Sequence, residues 1–345
     1  MKNEPHLIIT ETPSTRNSII DSMKGLAIIF VVWGHSIQFV KKDSLNFFDN
    51  PLFITIYSFH MPFFMLLSGY LFYFSLKRKP SSIIKRKFMQ LIIPSIAWFI
   101  AESIFVGRDI NLINIRYGAI YAFWFLSALF AVSIVYTICH SISKQYSVVL
   151  YLLIFSISLA YGDDWNMDKI KFMAPYFIAG ISAHRILDFA SRNRHKIGVL
   201  SVLTWIGMLL LWNREYYIYI SKMTYENVDF WHQSFIIIFR YFIGFAGSIS
   251  LIYAYTFLST KNNLFIRATS FVGTYTFPIY IISSFIFYRI EAYVNINNLC
   301  ENPLIYNLII TPSFVFLIVT TCIIVARLLK TNKYTSHILL GGRQI

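Results

Sequence analysis

Six ionisable side chains sit inside long apolar stretches of this chain: Lys24, His35, His60, Glu102, Arg240 and Arg289. Such groups are costly there, and their types say what they can do. A histidine titrates near neutrality and serves as general base toward a hydroxyl. An arginine supplies positive charge to a developing oxyanion or holds an anionic partner. His35 follows Lys24 by eleven residues, about three turns or about 16 Å along nearly the same helical face. His60 stands two residues before Pro62, which loosens a helical backbone. Structural readings compete with these. Lys24 and Arg289 lie near the ends of their stretches, where long side chains snorkel, and Glu102 is partly open to the same account. His60 is equally a packed histidine bonded to a carbonyl at the Pro62 kink, whereas a deep Arg240 needs an anionic partner or a wet cavity.

The elements that must position these groups are helices in a bilayer. Of 345 residues, 57% are hydrophobic, 18% aromatic and only 13% charged, against about 25% charged in a globular domain. The mean hydropathy is +0.58. A soluble enzyme, a secreted disulfide scaffold and a disordered regulator are excluded. Runs of about 17 to 25 apolar residues fall at 19–40, 51–76, 88–106, 117–138, 235–258, 271–290 and 304–329, with shorter ones at 147–161, 172–187 and 197–212. Without dyad alternation they read as helices, which satisfy their own backbone in lipid. The expected fold is an all-α membrane protein, a bundle of about ten transmembrane helices. It forms one membrane-embedded domain over 1–345, since no Gly/Ser/Pro-rich linker or internal repeat divides the chain. Residues 1–18 are its N-terminal segment and 330–345 its tail.

Charge placement supplies the orientation. With the N-terminus inside, 20 Lys and Arg fall on the cytoplasmic side and 8 outside, as the positive-inside rule requires. Asp43, Asp49, Asp109, Asp163, Asp164, Asp168, Glu215, Glu226, Asp229, Glu291 and Glu301 then face outward, and both termini are cytoplasmic. The net charge of +14 is thereby explained as topology, without a nucleic-acid partner. The expected location is the cell membrane, as a multi-pass protein of a bacterial inner or cytoplasmic membrane. In this frame His35, His60, Glu102, Arg240 and Arg289, from separate helices, share the outer half of the bilayer. Cys139, Cys300 and Cys322 have no paired spacing, and no zinc helix or Gly-rich phosphate cradle occurs, so no metal is expected. Lys77, Arg78, Lys79, Lys85, Arg86 and Lys87 form a dense cytoplasmic cluster. It is a topology determinant, a contact for anionic membrane lipids, or a grip on the phosphates of a nucleotide-containing donor.

The segment DSMKGLAIIFVVWGHS from Asp21, and YSFHMPFFMLLSGYLF from Tyr57 to Phe72, closely resemble the integral-membrane acyltransferase family 3, in its fucose 4-O-acetylase-like sugar O-acetyltransferase branch. Weaker matches are KRKFMQLIIP from Lys85, WFL from Trp124 and VGTYTFPIY from Val272. The resemblance covers essentially the whole chain. It implies ten helices, an acetyl-CoA or other acyl-CoA donor on the cytoplasmic side, and a glycan or glycolipid acceptor on the outer side. This chain carries Lys24 where the family more often has Arg, and Ser283 where the family usually has His. The expected activity is transfer of an acyl group, acetyl above all, to a hydroxyl of a cell-surface glycan or glycolipid. His35 is the expected base. Arg240, or else His60, stabilises the oxyanion, and Glu102 orients a histidine or pairs with Arg240. Lys24, Lys85, Arg86 and Lys87 are the expected donor contacts. A glycolipid or polysaccharide-precursor transporter or flippase is the main rival, against which the lack of inverted repeats counts. A non-catalytic membrane partner in an envelope assembly is the third.

Overall fold

The computed structural model describes residues 17–40, 46–162, 164–258, 263–293 and 302–342. Residues 1–16 and 343–345, Asp43, Asp163, Lys261, Cys300 and Glu301 lie outside them, as does the side chain of Glu291. The described residues are helices joined by short turns, with no strand among them. In chain order these are α1 (Ser18–Phe39), α2 (Pro51–Tyr57), α3 (His60–Tyr73), α4 (Pro80–Lys87), α5 (Ile93–Val106) and α6 (Leu112–Tyr117). Then come α7 (Trp124–Ile142), α8 (Ser147–Ser158), α9 (Met167–Arg192), α10 (Arg194–Leu210) and α11 (Phe230–Leu258). The chain finishes with α12 (Leu264–Thr274), α13 (Thr276–Tyr293), α14 (Pro303–Ile305), α15 (Thr311–Lys330) and α16 (Lys333–Leu340).

Each apolar run lies on one of these helices or on a pair joined by a break, and the chain is a helical membrane protein. By length and apolarity alone, six stretches suffice to cross a bilayer, and α12 with α13 makes a seventh if that bent pair is one span. The remaining runs fall on α8, with 12 residues, on α10, with 17, and on α9, which carries charged residues at both ends. The count of ten therefore depends on these three.

The breaks have local causes. Asn50 caps α2, its side chain accepting from the amides of Leu52 and Phe53, with Pro51 pre-set for the first turn. The helix is interrupted at Phe59 (φ −143°), and Trp205 of α10 donates to Ser58 Oγ at 3.0 Å just before it. The bend of 71° between α12 and α13 falls at Tyr275, between Gly273 and Pro278.

Helix packing rests on glycines that let backbones touch. α1 crosses α12 where Gly25 faces the carbonyl of Thr269 and Gly273 faces the carbonyl of Asp21. Beside this contact the Ser22 and Thr269 hydroxyls lie 2.6 Å apart. α3 and α9 repeat the device, with Gly69 on Phe177 and Gly180 on Leu66. Such small-residue crossings drive association in lipid, where burying apolar surface brings no gain.

A Cβ at position 69 would collide with the Phe177 backbone, whereas Gly207 on α10 has open space around it. We expect Gly69→Ala to lower the melting temperature of the purified protein, at a cost of about 1 to 3 kcal/mol. Gly207→Ala should be neutral or stabilising by up to about 1 kcal/mol, because alanine favours helix. Equal effects of the two in a thermal-shift assay would contradict this packing.

Candidate functional site

Two cavities lie one above the other along α1. The larger, of about 770 Å³, is lined by Lys24, Arg86, Lys87 and Lys330 with Asp21 as its carboxylate. Lys24 and Asp21 form an ion pair at 2.6 Å, one turn apart. The break between α12 and α13 contributes Thr274, Thr276 and Pro278 to the wall. Of the expected donor contacts, Lys24, Arg86 and Lys87 are thus brought together. Lys85 is exposed on α4 and is not part of the lining, because it occupies another face of the helix that carries Arg86 and Lys87. Asp21 and Lys330 were not singled out from sequence. Asp21 was legible as an i, i+3 partner of Lys24, while Lys330 carried no signal beyond that of a tail charge.

The smaller cavity, of about 290 Å³, brings together His35, His60, Glu102, Arg108 and Tyr219. Val31, Met61 and Tyr280 line both cavities and form the partition between them. The two histidines differ in their hydrogen bonding. His60 is 3% exposed, and its Nδ1 lies 2.8 Å from the Ile56 carbonyl, four residues back across the helix break. A carbonyl only accepts, so Nδ1 carries the proton and Nε2 of the neutral ring keeps its lone pair. A neutral His60 is therefore an acceptor at Nε2, and it donates there only once protonated. His35 is packed between Phe39 and Phe287, with ring centroids at 5.7 and 5.6 Å. Its Nδ1 is buried without a hydrogen-bond partner among the described residues, although Gln38 stands beside the ring. The ring lines the cavity, where an imidazole can serve in proton transfer.

Arg240 is placed elsewhere. It is 2% exposed and lines neither cavity. Its guanidinium donates to the carbonyls of Glu215, Tyr216, Tyr217, Ser221 and Lys222 at 2.7 to 3.0 Å, and to Ser221 Oγ. The reason a deep arginine is tolerated is thus a cage of inward-turned backbone oxygens, where the sequence suggested a carboxylate or a wet cavity. Glu102 accordingly does not pair with Arg240: it lies 3.9 Å from Arg108. The caged loop carries Tyr219 to the mouth of the histidine cavity. The same loop is tied to the turn before α2, where Arg214 binds Asp49 through both carboxylate oxygens and Tyr217 donates to the Phe48 carbonyl at 3.1 Å. The hydrogen bond from Arg214 holds the Asp49 carboxyl below its usual range.

Removing the guanidinium leaves several carbonyls unsatisfied, each costing about 1 to 3 kcal/mol when buried. Arg240→Met should therefore abolish hydrogen-exchange protection of residues 215–223. Arg240→Lys should restore only part of it, for want of the planar fork. Retained protection in Arg240→Met would refute the clamp. Because the Asp49 pKa is depressed, its link to Arg214 is present above the unfolded value of about 3.9 and is lost as pH falls through the lower folded value. Exchange of the 213–217 amides, corrected for intrinsic rates, should rise at acid pH in the wild type and show no such step in Asp49→Asn.

No solved structure matches the chain. The chain is 27% identical over 228 residues to the nodulation protein NolL of Sinorhizobium fredii (strain NBRC 101917 / NGR234), covering 60% of each protein. It is 24% identical over 257 residues to the nodulation protein NolL of Mesorhizobium japonicum (strain LMG 29417 / CECT 9101 / MAFF 303099), covering 69% of this chain and 65% of the relative. The alignment thus spans less than two thirds of the length of either relative. A family model for an acyltransferase domain matches residues 17–327, and the chain belongs to this family, acyltransferase family 3.

Proposed function

We propose that the chain is a membrane O-acyltransferase that moves an acyl group, acetyl in the simplest case, from acyl-CoA to a hydroxyl of a glycan or glycolipid. The observation that carries this reading is the stacking of a cation-lined cavity and a histidine-lined cavity along one helix, with a shared partition at Val31, Met61 and Tyr280. The basic end faces the cytoplasm, in keeping with the positive-inside rule. There Lys24, Arg86 and Lys87 hold the nucleotide phosphates of the donor by charge-assisted bonds. The pantetheine arm runs along the partition and delivers the thioester to the histidine cavity.

In that cavity His35 takes the proton of the acceptor hydroxyl as its oxygen attacks the thioester carbonyl. Collapse of the tetrahedral intermediate forms the ester, breaks the carbon–sulfur bond and returns the proton from the imidazolium to the CoA thiolate. Charge stabilisation for the oxyanion comes from Arg108 beside Glu102, in the role that the sequence alone offered to Arg240. His60, with Nε2 as acceptor, holds a second, non-reacting hydroxyl of the acceptor sugar. Tyr57 and Tyr219, both on this cavity, supply aromatic faces suited to a sugar ring.

Purified protein with labelled acetyl-CoA and a panel of sugars tests the reading, because transport and scaffolding yield no ester. His35→Ala should lower acyl transfer by about 10² to 10⁴ while leaving the melting temperature and donor affinity near wild type. Turnover at the wild-type rate in that variant would remove His35 from the chemistry. Cysteines placed in the 213–229 loop should react with an impermeant reagent from outside, and those in the 77–87 segment should not.

A further inference from the structure

The last helix of the described chain is fastened against the basic cavity. Trp98 of α5 donates its indole N–H to the Leu339 carbonyl at 2.9 Å, and Leu340 is 1% exposed and lines the cavity. Two left-handed glycines follow, Gly341 at φ +68° and Gly342 at φ +64°. They turn the chain so that Gly341 rests on the backbone of Gln90, and a side chain there would press on Gln90 at 3.0 Å. Gln90 lies just beyond Arg86 and Lys87, and Gln90 and Gly342 both belong to the cavity wall. At the other end of this segment Lys330 lines the cavity, its ammonium 5.3 Å from the Tyr275 ring at the bend between α12 and α13. The neighbouring Arg327 is engaged with the Tyr275 hydroxyl at 3.2 Å.

Among the described residues, four cations therefore face this cavity against one carboxylate, Asp21, which is paired with Lys24. The surplus suits a multiply charged phosphate ligand, and one of the cations comes from the end of α15, where α16 packs beside it. We propose that segment 330–342 is a built wall of the donor site and that Lys330 is a further phosphate contact for the acyl-CoA nucleotide. This rests on reading the cavity as the donor site. α16 acts by position: Leu340 and the glycine turn seat the segment against Gln90 and so hold the wall of the cavity closed on that side.

The test is calorimetric titration of CoA into full-length protein in zwitterionic nanodiscs at low salt. Lys330→Gln should weaken binding by about tenfold or more, the effect of one lost charge-assisted bond. Lys330→Arg should keep most of the affinity. Lys333→Gln removes an exposed cation outside the cavity lining and should leave it unchanged. Leu340→Asp should unseat α16 and also weaken binding. An unchanged affinity in Lys330→Gln, or an equal loss in Lys333→Gln, would overturn the proposal, the latter reducing it to diffuse surface charge. A lipid headgroup offers the same phosphate chemistry. If phosphatidylglycerol in the nanodisc competed with CoA in the wild type, and Lys330→Gln abolished that competition without weakening CoA binding in zwitterionic discs, the lysine would belong to the lipid and the proposal would fall. Absence of CoA binding in the wild type would instead refute the donor reading itself.

Discussion

The backbone contact between α1 and α12 is the constraint on which the rest of the molecule depends. Gly25 and Gly273 each face a carbonyl of the opposite helix, so the two helices have one register, and no side chain larger than hydrogen fits at the crossing. Register on α1 decides everything above it. With Gly25 fixed, Lys24 is held at the bend after Gly273, and His35 arrives three turns on between Phe39 and α13's Phe287. A slip of one residue would rotate both groups by about 100°, taking the cation out of one cavity and the imidazole out of the other together.

The second crossing, α3 on α9, fixes the other histidine. Gly69 and Gly180 hold α3 in place, and the break at Phe59 lets His60 start a new helix while its Nδ1 still reaches back to the Ile56 carbonyl. That bond is made across the break, where the Ile56 carbonyl also accepts from the Phe59 amide at 3.3 Å, and it fixes the His60 tautomer with the proton on Nδ1.

How much of this was legible in the sequence follows from what each rule measures. The cost of an ionisable group in lipid picked out His35, His60 and Glu102, which the fold gathers around one cavity, because that rule depends only on the group and its apolar neighbours. The same rule singled out Arg240, which the fold places outside both cavities. It counts charge, and carries no information on whether the 213–229 loop turns its carbonyls inward to cage a guanidinium. Lys330 and Tyr219 escaped notice for the converse reason. Lys330 stands at the edge of an apolar run and Tyr219 in a loop, where a cation or a tyrosine is ordinary, and only the packing of distant segments makes each part of a wall. Hydropathy windows likewise register apolarity and miss bends, so the 71° turn at Tyr275 could not be read, although Gly273 and Pro278 flank it.

The partition between the cavities explains why the polar groups are divided as they are. Phosphates need water and cations nearby, whereas a thioester must meet its acceptor hydroxyl where water does not compete as nucleophile. A single wet channel would serve the first need and defeat the second. Val31, Met61 and Tyr280, which are 3%, 6% and 8% exposed, separate the two environments, and in the proposed reaction the uncharged pantetheine arm would pass them while the solvated phosphates stay in the basic cavity. The charge count agrees with this division. Among the described residues the basic cavity is lined by four cations and one carboxylate, while the histidine cavity is lined by Arg108 and Glu102, with Arg289 also near Glu102. On the reading proposed above, Glu102 beside Arg108 offsets part of the positive charge that would otherwise disfavour an imidazolium on His35, while the guanidinium keeps donors for a developing oxyanion.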